Sequence, residues 1–505
     1  MMTKYEDNYV ASGENFPNFT LDYISHNAEL NPSDIAVIDN HRNVTYAEFN
    51  RHLHQFVDVA RRLELENGAT VAIEWTSLYP HWLLMLAFET LGIVTFTYTR
   101  AGAVDHGKML AAVDLVICSQ DHVPPNAKRA QIISRGWFLD VLAADAEYDR
   151  PRPVLPHDAP FCVSFTSGTT GDAKRIIENM RMHENRAEKA QLRAGFDQQS
   201  RFLVWPSFAL RGIYNYAAAC IRVGGCCVYN SQDGVAETIA RYDVTHLSVL
   251  PSVLKKTLDT LPDDFVKPDN LTISVFGGGV GETLRARASR RLATTLFVNY
   301  SSNESGPISI VGPGGVGMVL PGVEVETVDD HHLPVWRQPG LVRVKSGGCI
   351  DSYDTDPAAT ATMFHDGWFY PGDVGEMVGP RSLKLIGRVD DLINIGGQKY
   401  TPEYFEERLR KVIQAEDFCV TALPNADGLH QLCIALVLNS SADLKEIRDV
   451  SAPLISSHLG SFLMVRVSRI PRTSTGKAQR KKLNALILEI QQSAARNTLD
   501  GKSRH

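Results

Sequence analysis

PFCVSFTSGTTGDAKR, residues 160–175, joins a short apolar run to a loop of glycine and hydroxyl residues that ends in a lysine. Backbone N–H groups in a glycine-permitted turn form a concave anion site, and Lys174 adds a positive charge, so the stretch suits a polyphosphate. It does not match the G-x-x-x-x-G-K-[ST] pattern, because Lys174 follows Gly171 by three positions and Arg175 comes next. On composition alone, a solvated Ser/Thr/Gly linker is the alternative.

Apolar runs of the same kind recur along the chain, separated by segments of helical length. They read TVAIEW, GIVTFTYT, VDLVICS, CCVYN, THLSVL and LTISVF. Strands this apolar predict an α/β fold with parallel sheets covered on both faces. In such folds ligands bind beyond the carboxyl ends of the strands, where the glycine and hydroxyl clusters of this sequence fall. The run WLLMLAFETLGIVTFTYT is interrupted by Glu89 and Thr90, which favours a buried helix leading into a strand over a membrane span.

The sequence pattern changes after GRVDD. The segment TPEYFEERLRKVI predicts a helix with Thr401 as its N-cap and Pro402 in its first turn. Its predicted apolar face carries Phe405, Leu409, Val412 and Ile413. Two short strands and two further helices follow. We therefore predict a large N-terminal domain of parallel-sheet αβ subdomains over residues 1–388 and a small, mobile C-terminal α+β domain over residues 389–505.

Charge and cysteine content limit the class of partner. A formal net charge of -7 over 505 residues provides no basic field for nucleic acid or an anionic membrane. The eight cysteines show no C-x-x-C spacing, and the neighbours Cys226 and Cys227 lie in a strand-like run that would direct them to opposite faces. No export signal is expected at the start of the sequence. We expect a cytoplasmic protein with reduced thiols, a small-molecule partner, and a monomeric or homodimeric state.

Six motifs in a fixed order carry a resemblance to a known family. They are TSGTTGDAK, FGGG at 276–279, NYSSNESG at 299–306, GWFYPGDVGEM at 367–377, GRVDDLINIGGQKYTPEYFE, and PRTSTGK at 471–477. In this order they resemble the adenylate-forming superfamily of acyl-CoA synthetases, peptide-synthetase adenylation domains and luciferases, over nearly the whole chain. The family usually has proline before the loop lysine and glycine after it, whereas this chain has Ala173 and Arg175.

The resemblance implies an ATP site. The residues it assigns to the phosphates are Thr166, Ser167, Gly168, Thr169, Thr170, Gly171 and Lys174. Those assigned to the base, the α-phosphate and their surroundings are Gly277, Gly278, Gly279, Asn299, Tyr300, Ser301 and Asn303, with Tyr300 stacked on the adenine. Asp373 would accept hydrogen bonds from the ribose hydroxyls with support from Arg388. A structural ion pair between these two residues is the competing interpretation.

The resemblance also implies a reaction, in which a carboxylate attacks the α-phosphorus of ATP and pyrophosphate leaves. Charge builds on the phosphoryl oxygens, so cations and amides placed in advance stabilise the step. Lys477 would bridge the carboxylate and the α-phosphate, Glu304 would bind Mg²⁺, and Thr169 would assist from the loop. Lys477, Glu304 and Thr169 are therefore the predicted catalytic residues, and Glu304 is the predicted metal ligand.

The acid-binding residues are predicted from the stretch WPSFALRGIYNYAAACI, 205–221. It contains no acidic side chain that could bind an ammonium group, which disfavours an α-amino acid and favours an aryl, cyclic or medium aliphatic acid. The candidate pocket residues are Phe208, Gly212, Ile213, Gly278 and Ser302. Ala209 stands where the family frequently has histidine. Arg211 is expected to be a solvated helix residue, with a second substrate carboxylate as the alternative; His183 is expected at the surface or as a weak phosphate neighbour.

Three readings of the second step compete. An acyl-CoA ligase is favoured, because NIGGQKYTPEYFE resembles the glycine-paired segment of such ligases, with CoA as co-substrate. An amide-forming ligase, in which an amine attacks the adenylate, is the alternative, and an inactive nucleotide-binding relative comes third. Asp390 is the predicted hinge, and Gly396 and Gly397 would leave a passage for the pantetheine arm. DSYDTDP, 351–357, is predicted to be a surface turn, and the His331–His332 pair a polar turn without metal.

Overall fold

The computed structural model describes residues 19–100, 107–145, 153, 155–166, 174–389, 393–395, 398–424, 430–438, 443–459, 462–473, 476 and 478–502. The chain forms two compact units. Unit 1 comprises residues 1–312, 319–324 and 344–369. Unit 2 comprises residues 313–318, 325–343 and 370–505.

Helices occur in both units. In the described residues they are α1 (Phe19–Leu30), α2 (Tyr46–Arg62), α3 (Leu78–Thr90), α4 (Gly107–Ala112), α5 (Arg135–Ala143), α6 (Met180–Ala194), α7 (Arg211–Arg222), α8 (Val235–Arg241), α9 (Pro251–Asp259), α10 (Glu282–Arg291), α11 (Pro357–Met363), α12 (Pro402–Leu409), α13 (Leu444–Leu459) and α14 (Arg480–Lys502).

The strands of unit 1 precede and interleave with those of unit 2. In the described residues they are β1 (Ile35–Asp39), β2 (Arg42–Thr45), β3 (Thr70–Glu74), β4 (Val94–Tyr98), β5 (Leu115–Cys118), β6 (Ala130–Ile132), β7 (Pro160–Thr166), β8 (Lys174–Asn179), β9 (Arg201–Leu203), β10 (Cys226–Tyr229), β11 (His246–Val249), β12 (Thr272–Val275), β13 (Thr295–Ser302), β14 (Gly306–Val311), β15 (Val316–Val319), β16 (Val323–Val328), β17 (Pro334–Val335), β18 (Gly340–Ser346), β19 (Phe364–His365), β20 (Trp368–Phe369), β21 (Asp373–Gly379), β22 (Ser382–Arg388), β23 (Ile393–Ile395), β24 (Gln398–Tyr400), β25 (Asp417–Pro424), β26 (His430–Val437) and β27 (Phe462–Arg466).

One sheet of unit 1 has the order β6-β5-β3-β4-β7-β8. Its pairs are parallel except for β7–β8, an antiparallel hairpin that runs to the pair Thr166–Lys174. The apolar segment that the sequence analysis assigned to a helix and a strand forms α3 and β4. Helix α3 is buried from Leu78 to Thr90 because it has no polar face, as that prediction required.

The second sheet of unit 1 runs β2-β1-β10-β9-β11-β12-β13-β14. Strands β1, β10, β9, β11, β12 and β13 are parallel, and the flanking pairs β1–β2 and β13–β14 are antiparallel. Cys226 and Cys227 on β10 face two different apolar cores, as alternation along a strand predicted. All eight cysteines are free. The predicted α/β fold with parallel sheets is confirmed.

Unit 2 contains mostly antiparallel strands with helices. The β21–β22 hairpin pairs Asp373 with Arg388, and the sheet β25-β26-β27 packs with α12 and α14. Thr401 caps α12 through its side chain, as predicted. The helix ends at Leu409, earlier than predicted; Phe405, Leu409 and Ile413 are buried, whereas Val412 is exposed.

The division between the units differs from the predicted domain limits. Residues 370–388 belong with unit 2, whereas the sequence analysis placed them in the large domain. The boundary at residues 388 and 389 stays a prediction. Among the described residues, no helix combines the length and apolar character needed to cross a membrane.

Candidate active site

The β7–β8 hairpin holds both ends of the predicted phosphate loop. Thr166 and Lys174 form the last pair of the ladder, and residues 167–173 lie between them in sequence. Ser167, Gly168, Thr169, Thr170 and Gly171 lie outside the described residues, so their phosphate contacts stay predictions. The Lys174 ammonium lies over the ring of Tyr353, 4.7 Å from its centroid.

Arg175, which replaces the usual glycine, has a structural partner. Its Nη1 lies 2.9 Å from Oδ2 of Asp354, and the Asp354 N–H donates to the Arg175 carbonyl at 3.3 Å. This ion pair joins the first residues of β8 to the segment DSYDTDP. The segment is not only a surface turn, because its Tyr353 is buried against Ile176 and Ile350.

The turn between β13 and β14 carries the predicted metal ligand. Tyr353 donates from its hydroxyl to Oε1 of the half-buried Glu304, at 2.8 Å. Asn303 donates from Nδ2 to the Phe165 carbonyl on β7, at 3.2 Å. The structure therefore places Glu304 and Asn303 near the end of the hairpin that carries Lys174, and their contacts with Mg²⁺ and ATP stay predictions.

A buried arginine that the sequence analysis missed supports this turn. Arg186 on α6 is 2% exposed and donates to the carbonyls of Asn303 (2.9 Å), Glu304 (3.3 Å) and Gly348 (2.7 Å). Gly306 closes the turn at φ +69°, where a Cβ would lie 3.0 Å from the Arg186 Cγ. One signal in the sequence could have indicated its burial. Arg186 lies at helical spacing from Ala190, on the face of α6 that is buried.

Arg186 also belongs to a buried charge cluster. Its Nη1 lies 2.8 Å from Oε1 of Glu178 on β8, and Arg211 Nε lies 3.4 Å from the same oxygen. Burial acts to raise the pKa of Glu178, but the two guanidinium groups hold that pKa below its ordinary value. Burial raises the pKa of nearby Glu89 to about 8, although Thr95 and Tyr214 donate to its carboxyl oxygens.

Two expectations about this region were wrong. Arg211 is not solvated but 7% exposed, because it neutralises Glu178 and lies over the Tyr214 ring at 4.4 Å. His183 is not at the surface but fully buried, stacked on Phe161 at 4.6 Å. Burial lowers the His183 pKa well below its ordinary value, so the ring is neutral.

The predicted adenine segment follows β12 at the carboxyl edge of the second sheet. Gly277 has φ +79°, and a Cβ there would lie 2.8 Å from Leu250 Cδ2, so glycine is required. Gly278 and Gly279 are exposed, and Tyr300 and Ser301 are half-buried on the neighbouring strand β13. Their contacts with ATP stay predictions.

Asn299 has a role inside the protein. Its Nδ2 donates to Ser274 Oγ and to the Val275 carbonyl, and its Oδ1 accepts from Arg193. These bonds hold the side chain within the protein, and the contact of Asn299 with ATP stays a prediction.

The predicted pocket residues differ in accessibility. Phe208 is fully buried, with its ring 5.1 Å from Tyr214 and 5.3 Å from Trp75, and Ile213 is also fully buried. Gly212 is exposed, and a Cβ there would meet no atom within 4 Å. Ser302 is half-buried and bonded to Ser305 Oγ at 3.0 Å. The acid-binding role of this set stays a prediction.

Asp373 and Arg388 lie in unit 2, where they form an ion pair. Arg388 Nη1 lies 3.0 Å from Asp373 Oδ1. Gly372, at φ +76°, permits this approach, since a Cβ there would lie 3.1 Å from Arg388 Nη2. This contact is the structural ion pair that the sequence analysis gave as the alternative to ribose binding. Ribose binding by Asp373 and Arg388 stays a prediction.

The remaining predicted residues lie outside the described part of the chain: Asp390, Gly396, Gly397 and Lys477. The residues flanking Lys477 are held in place. Arg472 pairs with Ala478, donates to the Gly476 carbonyl at 2.9 Å, and forms an ion pair with Asp417 at 2.6 Å.

The described residues contain no group of three or more His, Cys, Asp and Glu side chains arranged to hold a metal ion. Mg²⁺ usually binds through one or two carboxylates together with substrate phosphates, so a dedicated cage is not required. A half-buried Glu304 carboxylate, which accepts from a hydroxyl donor near the end of the β7–β8 hairpin, fits that donor set. His331 and His332 lie in a polar turn built on Asp329, as predicted.

Comparison with known proteins gives consistent results. A family model described as AMP-binding enzyme matches residues 24–353. The 2-succinylbenzoate–CoA ligase of Listeria monocytogenes is 23% identical over 486 residues, covering 91% of this chain and 98% of the relative.

Two solved structures extend the comparison to the fold. ATP-bound MatB from Rhodopseudomonas palustris has a TM-score of 0.81 at 18% identity, covering 94% of this chain and 100% of that one. The amide bond synthetase McbA from Marinactinospora thermotolerans has a TM-score of 0.79 at 22% identity, covering 93% and 99%. These likenesses support the predicted fold class.

Proposed function

Because the chain belongs to the AMP-binding enzyme family, we propose that it activates a carboxylic acid with ATP and transfers the acyl group to the thiol of CoA. In the first step a carboxylate oxygen bonds to the α-phosphorus of ATP, and the bond to pyrophosphate breaks. In the second step the CoA sulfur bonds to the acyl carbon, and AMP leaves. The predicted family resemblance is confirmed, and the curated CoA ligase relatives support the reaction.

The position of Tyr353 between Lys174 and Glu304 is the observation that carries this proposal. The Tyr353 ring faces the ammonium, and its hydroxyl binds the carboxylate. A cation and a carboxylate thus contact the same tyrosine near the end of the hairpin that bears the predicted phosphate loop. This is the combination that a polyphosphate and its divalent cation need.

The remaining roles follow the family resemblance. Bound Mg²⁺ would neutralise charge on the phosphates, and Glu304 is the residue that would hold it. Lys477 would stabilise the charge that develops on the α-phosphate and carboxylate oxygens. Gly277 to Gly279 and Tyr300 would receive the base, and Asp373 with Arg388 the ribose.

The substrate proposed is an aryl, cyclic or medium aliphatic acid. Residues 205–221 contain no acidic side chain, so an α-ammonium group would find no partner there. Arg211, the one charged residue of that stretch, is already paired with Glu178. The relative from Listeria is named for an aryl acid, 2-succinylbenzoate, which agrees with this class.

For the second step we propose that Asp390 is the hinge about which residues 389–505 reorient, and that Gly396 and Gly397 leave room for the pantetheine arm. An amide-forming ligase is the alternative outcome. The likeness in fold between this chain and the amide bond synthetase McbA does not decide the acceptor, since a CoA synthetase shows the same likeness.

The first experiment measures exchange of labelled pyrophosphate into ATP across a panel of acids, followed by product analysis with CoA, with an amine, and with neither. Acid-dependent exchange and CoA-dependent thioester formation are expected. If the amine is converted to an amide whether or not CoA is present, the chain is an amide-forming ligase and the CoA ligase proposal fails. No exchange with any acid would contradict adenylation.

The variant Gly397→Leu separates the two steps. A leucine side chain would fill the pantetheine passage, so thioester formation should fall while pyrophosphate exchange persists. Gly136→Leu is the matched control, because a Cβ at Gly136 on α5 would meet only Ser134 Oγ, at 3.7 Å. Equal loss of both activities with a lowered melting temperature would assign Gly397 to the fold instead.

A further inference from the structure

Tyr353 is rigidly held on the chain segment between β18 and α11. Its side chain is 4% exposed and lies in an apolar cluster with Ile176 and Ile350. The Phe364 ring meets it edge to face, with centroids 5.4 Å apart. Its main-chain N–H donates to Thr360 Oγ1 at 3.0 Å. These contacts set the position of the ring and therefore that of its hydroxyl.

The polar end of this residue is directed at the candidate metal ligand. The hydroxyl donates to Glu304 Oε1 at 2.8 Å, within the range of a charge-assisted hydrogen bond. The Lys174 ammonium lies over the ring face at 4.7 Å. A cation over an aromatic face is attracted to the ring and draws electron density towards itself, which strengthens the phenolic O–H as a donor.

The main chain of Glu304 is held by other groups. Arg186 donates to its carbonyl at 3.3 Å, and the Ile350 N–H donates to the same carbonyl at 2.9 Å. The turn therefore keeps its path without Tyr353. The Tyr353 hydroxyl acts on the direction of the carboxylate alone.

We infer that Tyr353 is a positioning residue for adenylation. It fixes the Glu304 carboxylate in the orientation that binds Mg²⁺ and links that orientation to the position of Lys174. This rests on the proposed function. The hydroxyl donates to one carboxylate oxygen and would orient the group for a bound cation, in the way that hydrogen bonds outside a metal's ligand set orient its ligands.

The test is Tyr353→Phe, which keeps the ring, its apolar contacts and the Lys174 contact, and removes only the hydroxyl. Calorimetry measures binding of a nonhydrolysable ATP analogue as Mg²⁺ is varied. We expect the Mg²⁺ concentration for half-maximal binding to rise about tenfold, the usual scale for losing one hydrogen bond to a charged group, with binding in EDTA unchanged. Exchange kinetics should show a lower kcat with an unchanged KM for the acid.

Tyr46→Phe is the matched control. Its hydroxyl donates to the Gly225 carbonyl at 2.7 Å, and the residue is fully buried. The control should lose thermal stability without any change in the Mg²⁺ dependence. Equal Mg²⁺ dependence in wild type and Tyr353→Phe would overturn the assignment and leave Tyr353 a structural residue.

The binding measurement separates this inference from the proposed function. If wild type shows Mg²⁺-dependent binding of the analogue but exchanges no pyrophosphate with any acid, adenylation fails while the Tyr353 comparison still stands on binding. If wild type exchanges pyrophosphate and the variant keeps its Mg²⁺ dependence, only the role of Tyr353 fails. If the wild-type protein binds the analogue equally well with and without Mg²⁺, the inference is overturned directly.

Discussion

Replacing Arg186 with methionine removes the guanidinium that joins β8, the turn at Asn303–Glu304 and Gly348. The methionine fills most of the same space. The change removes a donor from three carbonyl groups, of which that of Glu304 keeps the Ile350 N–H, and it takes from Glu178 the closer of its two cations, at 2.8 Å against 3.4 Å for Arg211.

The expected loss in the free energy of unfolding is about 3 kcal/mol. Removing one member of a buried ion pair costs roughly 3–5 kcal/mol, and Arg211 remains to offset part of the Glu178 charge, which places the effect near the lower limit. A domain's whole stability is about 5–15 kcal/mol, so the variant should unfold at a visibly lower urea concentration. Glu178→Gln combined with Arg186→Met should cost less than the two single changes added together, because they share one contact.

Urea denaturation followed by tryptophan fluorescence measures this change. The control is Lys255→Met, which breaks an exposed ion pair of 2.6 Å with Asp259, where the lysine side chain is 66% exposed, and should cost less than about 1 kcal/mol. A loss of under 1 kcal/mol in Arg186→Met, equal to that of the control, would show that the buried pair does not hold the turn.

Three further predictions concern single residues. Lys477→Ala should abolish acid-dependent pyrophosphate exchange while ATP binding persists, a loss of about 3 kcal/mol or more in the transition state; near-normal exchange would remove Lys477 from the site. Glu304→Gln should raise the Mg²⁺ requirement for ATP binding, and an unchanged Mg²⁺ titration would make Glu304 structural. Burial raises the pKa of Glu89 from 4.5 to about 8, so the unfolded carboxyl ionises near pH 4.5 while the folded one keeps its proton to about pH 8. Stability should fall as pH rises through that window, by up to about 5 kcal/mol at roughly 1.36 kcal/mol for each unit of pKa. Urea midpoints of Glu89→Gln should lack this decline, and an equal decline in the variant would assign it to another group.

The secondary structure of unit 1 could be predicted because its signals are local. The run from Leu78 to Tyr98 is long, apolar and interrupted once, which is sufficient to predict a buried helix followed by a strand. The N-cap Thr401 could also be predicted, because the capping residue directly precedes the helix α12 in the sequence. The end of α12 was misplaced because apolar residues continue beyond it.

The polar interior could not be predicted from sequence. Arg211 and His183 were expected near solvent, since neither residue has a visible partner nearby in the chain. Their partners come from elsewhere in the chain: Glu178 lies 33 positions before Arg211, and Asn215, which bonds to the His183 ring, lies 32 positions after it. Tyr353 was hidden for the same reason, in a segment whose acidic composition indicated a surface turn.

The β7–β8 hairpin has a consequence for how this loop can change in evolution. Lys174 is the last paired residue of the ladder, so its place is set by strand register and not by the residues at 167–173. Arg175 lies within the ladder, opposite Phe165, and is anchored by Asp354. Lengthening a loop between fixed ends costs little, about 0.6 kcal/mol for each doubling. The replacement of the usual proline and glycine by Ala173 and Arg175 can therefore alter the loop without moving its lysine, so the loop sequence can vary while the cation stays in place.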